Sequence, residues 1–545
     1  MSGHLLDQAR QHGCGKKGRG YPACGEAPVM HRHEQDARVP FTSFLAFLFA
    51  VIPLVTVETS PAAGFRDFYE IENIPMPEGV DAQIGGIDVL PDGRVAACLH
   101  RGEVLFGDPA GREWQCFASG LHEPLGIIAP NDREVLVMQR AELTRLRDTD
   151  KDGKADRYET LWDNFGMTGN YHEYAYGPVR DARGDLFVSL NLASTGDGVH
   201  KEVRGAWSPL GPTHADFFDD WEVAKNRVWK MYSRVPWRGW VIKLDGRTFA
   251  PTPWSCGFRS PDGLGFDGQG RLFVSDNQGD WVGTSCLFMT AQNDFHGHPI
   301  SLVWRDGWRD DPMTRAVAEF DALRARPVVL FPHGLMANSP TQPVCDTTGG
   351  KFGPFSGQLF IGEMNTPRLI RVMLDEVAGE VQGACVPFVD GAGLRAGNHR
   401  LVFGPDGRLW VGQTHLAWAG GEGLQRLSWK GRVPFDVLTV RLQPQGFLFN
   451  FTSALDVSSF PPVEAWTIRR YRYEYHSSYG SPQIGLTKIA PARVTLQNEG
   501  KTVWLELGEI QSGGVVYEFT LPALRAAAGT SLVNRLVCYT VNRTL

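Results

Sequence analysis

The 545-residue sequence predicts an all-β chain: a six-bladed β-propeller followed by a C-terminal β-sandwich-like domain. Three observations predict it. First, a turn carrying Gly or Asp and then a short apolar strand recurs six times: Asp92-Gly93-Arg94-Val95, Asp132-Arg133-Glu134-Val135, Gly184 to Val188, Gly270 to Val274, Gly357 to Ile361 and Gly407 to Val411. Second, 62 Gly and 35 Pro describe a chain that reverses direction often. Third, the cassette stops after Trp429 and alternating strands without it take over. The cassettes are spaced 40, 51, 86, 87 and 50 residues apart. A unit of about 40–50 residues is one propeller blade, and the two long intervals hold a blade plus an insertion of about 40.

Residues 1–64 read as a leader. The apolar stretch Phe41 to Val57 follows Arg32 and Arg38 and precedes the small residues Ser60-Pro61-Ala62-Ala63-Gly64, the order of a secretory signal. Starting at Met30 would leave a normal charged region ahead of it. Export to a periplasmic or extracellular compartment is the first reading; an uncleaved anchor at residues 41–57 is the second, with no transmembrane domain beyond the leader. Seven cysteines follow the leader, an odd number, so pairing in an oxidising compartment would leave at least one free. A formal net charge of −7, with no sustained Lys/Arg run, removes the cation clusters that phosphate contacts need and excludes a nucleic-acid partner.

Residues 65–430 carry the blades. The second to sixth cassettes are each preceded by a polar loop: Gly120 to Pro124, His172-Glu173-Tyr174, Gly257 to Pro261, Gly334 to Asn338, Gly393 to His399. In a propeller, equivalent loops converge on one end of the central channel, the default ligand site. His172 is the candidate base, an imidazole able to accept a hydroxyl proton, with a packed structural His as its other reading. Arg259 is the candidate cation for a carboxylate or oxyanion, against a plain salt bridge with Glu173 or Asp262. Arg395, His399, His122, Gln139, Asn191 and Asp276 are placed by the repeat alone. His296 and His298 lack a nearby third ligand and read as structural.

The insertions lie at Trp207 to Trp240, whose aromatic run reads as packing, and at Ser301 to Pro327, where Val317, Phe320 and Leu323 predict a helix over Asp311 to Ala325. Within the second blade, Asp148-Thr-Asp150-Lys-Asp152-Gly153-Lys154-Ala-Asp156-Arg-Tyr-Glu159 fills every ligand position of a twelve-residue Ca²⁺ loop, with Lys154 supplying a backbone carbonyl. Its flanks, Ala141 to Arg147 and Arg157 to Trp162, read as strands. The expectation is therefore a structural calcium turn, with a solvated acidic turn as the alternative. Residues 431–545 show alternating strands, such as Val437 to Leu442 and Val515 to Phe519, and no cluster of catalytic residue types, so accessory packing is the role expected of them.

Gly257-Phe-Arg259-Ser260-Pro261-Asp-Gly263-Leu-Gly265-Phe, Leu272 to Trp281, Gly297-His-Pro299, Gly349 to Gln358 and Gly404 to Thr414 together resemble the soluble quinoprotein glucose/sorbosone dehydrogenase-like propellers, and a secreted, planctomycete-type multidomain branch of them. The resemblance implies oxidation of an aldose or polyol. His172 would take the hydroxyl proton, hydride would pass to pyrroloquinoline quinone held by Arg259 and Arg395, Ca²⁺ would activate the quinone, and an electron acceptor would follow. Those enzymes read Gly-x-Arg-Asn-Pro where this chain has Ser260. A carbohydrate- or protein-binding propeller without redox chemistry is the alternative function; a calcium-dependent lactonase would need more channel carboxylates than these loops hold.

Overall fold

The protein is described here by a computed structural model that covers residues 64–545 except 199, 209, 211–228 and 416–419. The leader, the start at Met30, and Phe217, Phe218 and Trp221 of the aromatic run lie outside the described residues. Within them the chain is almost entirely β. Five four-stranded antiparallel sheets and the first half of an eight-stranded one follow one another, with first strands Ile84–Val89, Ile127–Asn131, Ala175–Arg180, Gly263–Phe266, Pro340–Cys345 and Asn398–Phe403. Each first strand touches that of the next sheet, and the sixth touches the first, so the six sheets close into a ring. The sixth sheet joins the two ends of this region: Tyr69–Ile74 pairs antiparallel with Gly423–Trp429.

All six cassettes form the second strand of their sheet: Val95–Leu99, Glu134–Met138, Leu186–Leu190, Leu272–Asp276, Leu359–Glu363 and Leu409–Gln413. Nearly every residue of these strands is buried, because both faces of each sheet pack against neighbouring sheets. The turn ahead of the strand is built by its acid. Asp267 accepts from Gln269 N and Arg271 N (both 2.9 Å), and Asp92 accepts from Arg94 N (3.0 Å). Glycines in or beside the first strands let backbones of adjacent sheets meet; a Cβ on Gly126 would collide with the Gly177 carbonyl, and one on Gly265 with that of Pro343.

The helix in the second insertion is shorter than the spacing predicts, Val317–Leu323. Pro312 opens a separate 3₁₀ turn, Arg315 and Ala316 are extended, and Ala316 N bonds the Glu319 carboxylate (3.1 Å). Phe320 alone is fully buried, against Trp281 and Phe295, while Leu323 is half exposed. The described part of the aromatic run packs on itself and on the fourth sheet: Trp237 against Trp240 (5.3 Å) and Trp229 against Trp281 (4.9 Å). No helix among the described residues is long and apolar enough to cross a membrane.

The C-terminal segment continues the fifth sheet. Glu380–Asp390, the last strand of that blade, pairs with Leu536–Val541, and the sheet runs on through Val515–Thr520 and Thr467–Arg472 to Ile484–Ile489. A second sheet, Val437–Gln443, Gly446–Phe451, Thr502–Glu506 and Arg493–Gln497, packs over it on a core that includes Met373, Ala384 and Val386 of the fifth blade. The buried Arg371–Asp436 pair (3.1 Å) ties the two parts, with Arg371 over the Phe355 ring (3.8 Å). All seven described cysteines are free thiols.

Candidate functional site

His172 sits on a loop built to hold it still. Asn170, fully buried, accepts from His172 N and Ser194 N (both 3.1 Å) and donates to Ser194 O (2.9 Å). Glu173 accepts from Thr168 N (2.6 Å) and Thr168 Oγ1 (2.8 Å), and Arg238 reaches the carbonyls of Glu173 and Tyr174 (2.9 and 3.1 Å). Arg140, paired with Glu123 (2.5 Å), donates to Asn170 O.

The imidazole itself has one fixed end and one open end. Nδ1 lies 2.8 Å from Leu192 O, a carbonyl that can only accept, so the proton resides on Nδ1 and Nε2 carries the lone pair. Burial, the Arg259 charge, and more weakly Arg140 and Lys230 push the His172 pKa down to about 3, against the pull of the Leu192 bond. The ring is neutral at physiological pH.

Arg259 is joined to His172 through one residue, since Leu192 N donates to Arg259 O (3.3 Å). Its backbone is pinned by Asp276, whose carboxylate accepts from Arg259 N (2.8 Å), Ser260 N (2.7 Å) and Asn277 N (2.9 Å). Burial raises the Asp276 pKa to about 6 in spite of those donors. The Arg259 guanidinium has no such partner. Among the described residues no carboxylate lies within ion-pair distance, and Nε is buried without a hydrogen bond. The salt bridge considered for it does not form: Glu173 turns Oε2 to Thr168 and leaves Oε1 buried without a hydrogen bond among the described residues, and Asp262 belongs to the centre of the ring.

There, Asp262 meets His399 Nε2 (3.0 Å) and Arg400 Nη1 (3.5 Å), while Arg400 also donates to Leu125 O (3.0 Å) and lies over the Tyr176 ring (5.0 Å). His399 Nδ1 faces Ile84 O (3.4 Å) and the residue is fully buried, so this His fills the ring centre rather than lining an opening. Gln139 is likewise used up, accepting from His122 N and donating to Thr144 Oγ1 (both 2.6 Å). Asn191 Nδ2 donates to Ser260 Oγ (2.9 Å), and its Oδ1 has no partner. Arg395 lies apart; its guanidinium rests near Glu422 O (3.4 Å), and no bond joins it to His172 or Arg259. His296 bonds Thr290 Oγ1 (2.8 Å) between Phe258 and Phe288, and His298 meets Asp280 (3.2 Å).

Three residues beside the site gave no signal in the sequence. Tyr171 is partly exposed and edge-on to the His172 ring (5.7 Å). Lys230, from the third-blade insertion, and Tyr479, from the C-terminal segment, stand with their cation and ring 4.3 Å apart, and the Arg259 guanidinium carbon is 5.7 Å from the same ring.

The acidic turn links the third and fourth strands of the second sheet, Leu143–Arg147 and Arg157–Trp162. Asp148, Asp150 and Asp152 bring one oxygen each within 4.8 Å of one another. Glu159 departs from the loop pattern, because Arg145, Arg147 and Arg157 hold its carboxylate at 2.7–2.8 Å on the strand. Asp156 turns to Thr149 N (2.9 Å) and Thr149 Oγ1. A flanking helix would swing the twelfth residue inward; a strand whose cross-strand neighbours are arginines holds it outside.

Residues 107–195 match a domain family of unknown function, DUF7133. No curated protein matches the chain. Among solved structures, the chain is similar to a putative oxidoreductase (glucose dehydrogenase) of Thermus thermophilus, at 17% identity over 66% of this chain and 99% of that one, with a TM-score of 0.43. It is similar to the PQQ-bound aldose sugar dehydrogenase of Streptomyces coelicolor at 15% identity, covering 66% and 98%, TM-score 0.41. A Trichoderma reesei protein of carbohydrate-active enzyme family AA12 is 15% identical, covering 70% and 100%, TM-score 0.44.

Proposed function

We propose that the six-sheet ring is a six-bladed propeller of an exported sugar-dehydrogenase-like oxidoreductase, and that it oxidises an aldose or polyol hydroxyl at His172. The observation that carries this reading is the juxtaposition of a neutral imidazole, its Nδ1 proton committed to Leu192 O, with a buried guanidinium that has no carboxylate partner among the described residues. The first is a proton acceptor of fixed tautomer; the second is a buried charge left for a ligand to compensate.

Pyrroloquinoline quinone fits this donor set, because its carboxylates are the anions Arg259 lacks; when bound, the quinone supplies the hydride acceptor. The work of the chain's own residues is then definite. His172 Nε2 receives the substrate hydroxyl proton, Leu192 O stabilises the resulting imidazolium, and Arg259 binds and orients carboxylate. Asp276 fixes the Arg259 backbone. Ser260, whose Oγ accepts from Asn191, supplies no amide in the place where the resembling enzymes have one. Arg395 stays outside this proposal. Calcium is assigned to Asp148, Asp150 and Asp152 in a structural role, with backbone oxygens of the turn completing the shell.

A binding module without redox chemistry is the second reading, favoured by the depressed basicity of His172, since a base with a pKa near 3 gives little driving force for proton removal. Reconstitution of residues 65–545 with quinone and Ca²⁺, followed by dye reduction on a panel of aldoses and polyols, separates the two. Turnover that falls by about 10²–10⁴ in His172→Ala supports the dehydrogenase. Quinone binding without turnover on any substrate leaves the binding module.

A further inference from the structure

The Tyr473–Gln483 loop of the C-terminal segment is fastened to the loop that follows the fourth-sheet cassette. Gly480 N donates to Gly279 O (2.8 Å), Ser481 N to Gly283 O (2.8 Å), and Trp281 N to His476 O (3.0 Å), with Asp280 and Tyr479 pairing as an antiparallel bridge. Tyr475 Oη donates to Gly297 O (2.5 Å) at the other end. Two glycines permit the approach. A Cβ on Gly480 would press on the Gln278 side chain at 2.9 Å, and one on Gly279 would strike Arg259 Nε at 2.5 Å.

What this fastening delivers is one aromatic ring. Tyr479 is half exposed although its backbone is fixed, and its ring centre is 4.3 Å from Lys230 Nζ and 5.7 Å from Arg259 Cζ. The two cations come from different places in the chain, the third-blade insertion and the loop before the fourth sheet. Neither has a carboxylate partner among the described residues. Two like charges repel, and among the described residues the aromatic quadrupole shared between them is what attracts both.

We propose that Tyr479 is a positioning residue of the His172–Arg259 site, holding Lys230 and Arg259 together as a two-cation seat for a ligand that carries two carboxylates. The C-terminal segment is then a working part of the site, whatever packing it also provides. This rests on the reading above that Arg259 meets the ligand.

The test is calorimetric titration of the full chain with benzene-1,3-dicarboxylate and, separately, with benzoate. The dicarboxylate binds more tightly, and added salt weakens it more. Tyr479→Ala and Lys230→Ala each cost about tenfold in dicarboxylate affinity, roughly 1.4 kcal/mol, and leave benzoate nearly unchanged. The double variant costs little more than either single one, because the ring acts through the lysine. Tyr479→Phe keeps wild-type affinity. Lys230 is exposed, so its variant tests the seat even if Tyr479→Ala unfolds. Equal binding of the two acids, or wild-type affinity in either alanine variant, overturns the proposal. If the dicarboxylate results hold and no sugar is oxidised, the dehydrogenase reading fails and the seat stands; if sugars are oxidised and both alanine variants bind quinone as the wild type does, the seat fails alone.

Discussion

Two histidine–arginine pairs lie in the same ring of sheets and are treated in opposite ways. At the centre, His399 and Arg400 share Asp262, and their remaining donors find backbone carbonyls. At the rim and among the described residues, only one nitrogen of His172 is hydrogen-bonded, and Arg259 has a pinned backbone with a head that lacks a carboxylate. The difference is a single carboxylate. A buried cation with its anion in place is structure; one without it is poised for something that arrives.

The largest effect expected from this comparison is on stability. Asp262→Ala strips the anion from a fully buried His399–Arg400 pair, so it should cost about 3–5 kcal/mol. Arg259→Ala removes a charge that has no carboxylate partner among the described residues, so its cost should stay under about 1 kcal/mol. Urea denaturation of both variants checks the pair. Equal losses would mean that Arg259 has a structural anion after all, and the distinction between centre and rim would collapse.

A smaller effect separates the two regions by pH. The folded protein keeps His172 neutral down to about pH 3, whereas the unfolded chain protonates it below about 6.5. The unfolded state thus binds more protons between those values, and stability due to this group is present above pH 6.5 and lost as pH falls. By pH 5 the loss amounts to roughly 2 kcal/mol relative to pH 7. Asp276, pushed up to about 6, works in the opposite direction over part of that window, so the measurement is the difference between wild type and His172→Gln. The wild type should lose about 2 kcal/mol more than the variant on going from pH 7 to 5. Identical slopes would show that His172 takes up a proton in the folded state and is not the open acceptor described above.

Much of the ring was legible because its signal is local. A Gly or Asp turn and four or five apolar residues are enough to specify a strand, and all six cassettes form the second strand of their sheet. The His172 and Arg259 loops were legible for the same reason, since they precede cassettes. What sequence could not convey depends on side chains meeting across hundreds of residues. Gln139 and His399 occupy repeat positions like those of the rim residues, yet His122, Thr144 and Asp262 consume them. Tyr479 lies in a segment with no cassette and no clustered chemistry, and only the pairing with Gly279 to Gly283 brings it to the site. The C-terminal boundary drawn at residue 431 marks the end of the cassettes, but the hydrogen-bonded sheet crosses it, from Cys385 to Cys538 in direct register.

The same contrast between compensated and open charge recurs in the acidic turn, where it predicts the smallest effect. The carboxylates of Asp148, Asp150 and Asp152 face one another, whereas Glu159 has three arginines. If the turn binds Ca²⁺ through the three aspartates, Asp150→Asn should weaken it by at least about tenfold, because each carboxylate charge contributes strongly to a hard-cation site. Glu159→Gln should change the affinity by less than about twofold, since its charge is already neutralised before the ion arrives. A calcium titration followed by the rise in Tm reads both, as the stabilisation scales with ligand occupancy. A large loss in Glu159→Gln would mean that the glutamate leaves its arginines to close the loop, and that a charge which looks satisfied in the folded chain is still available to a ligand.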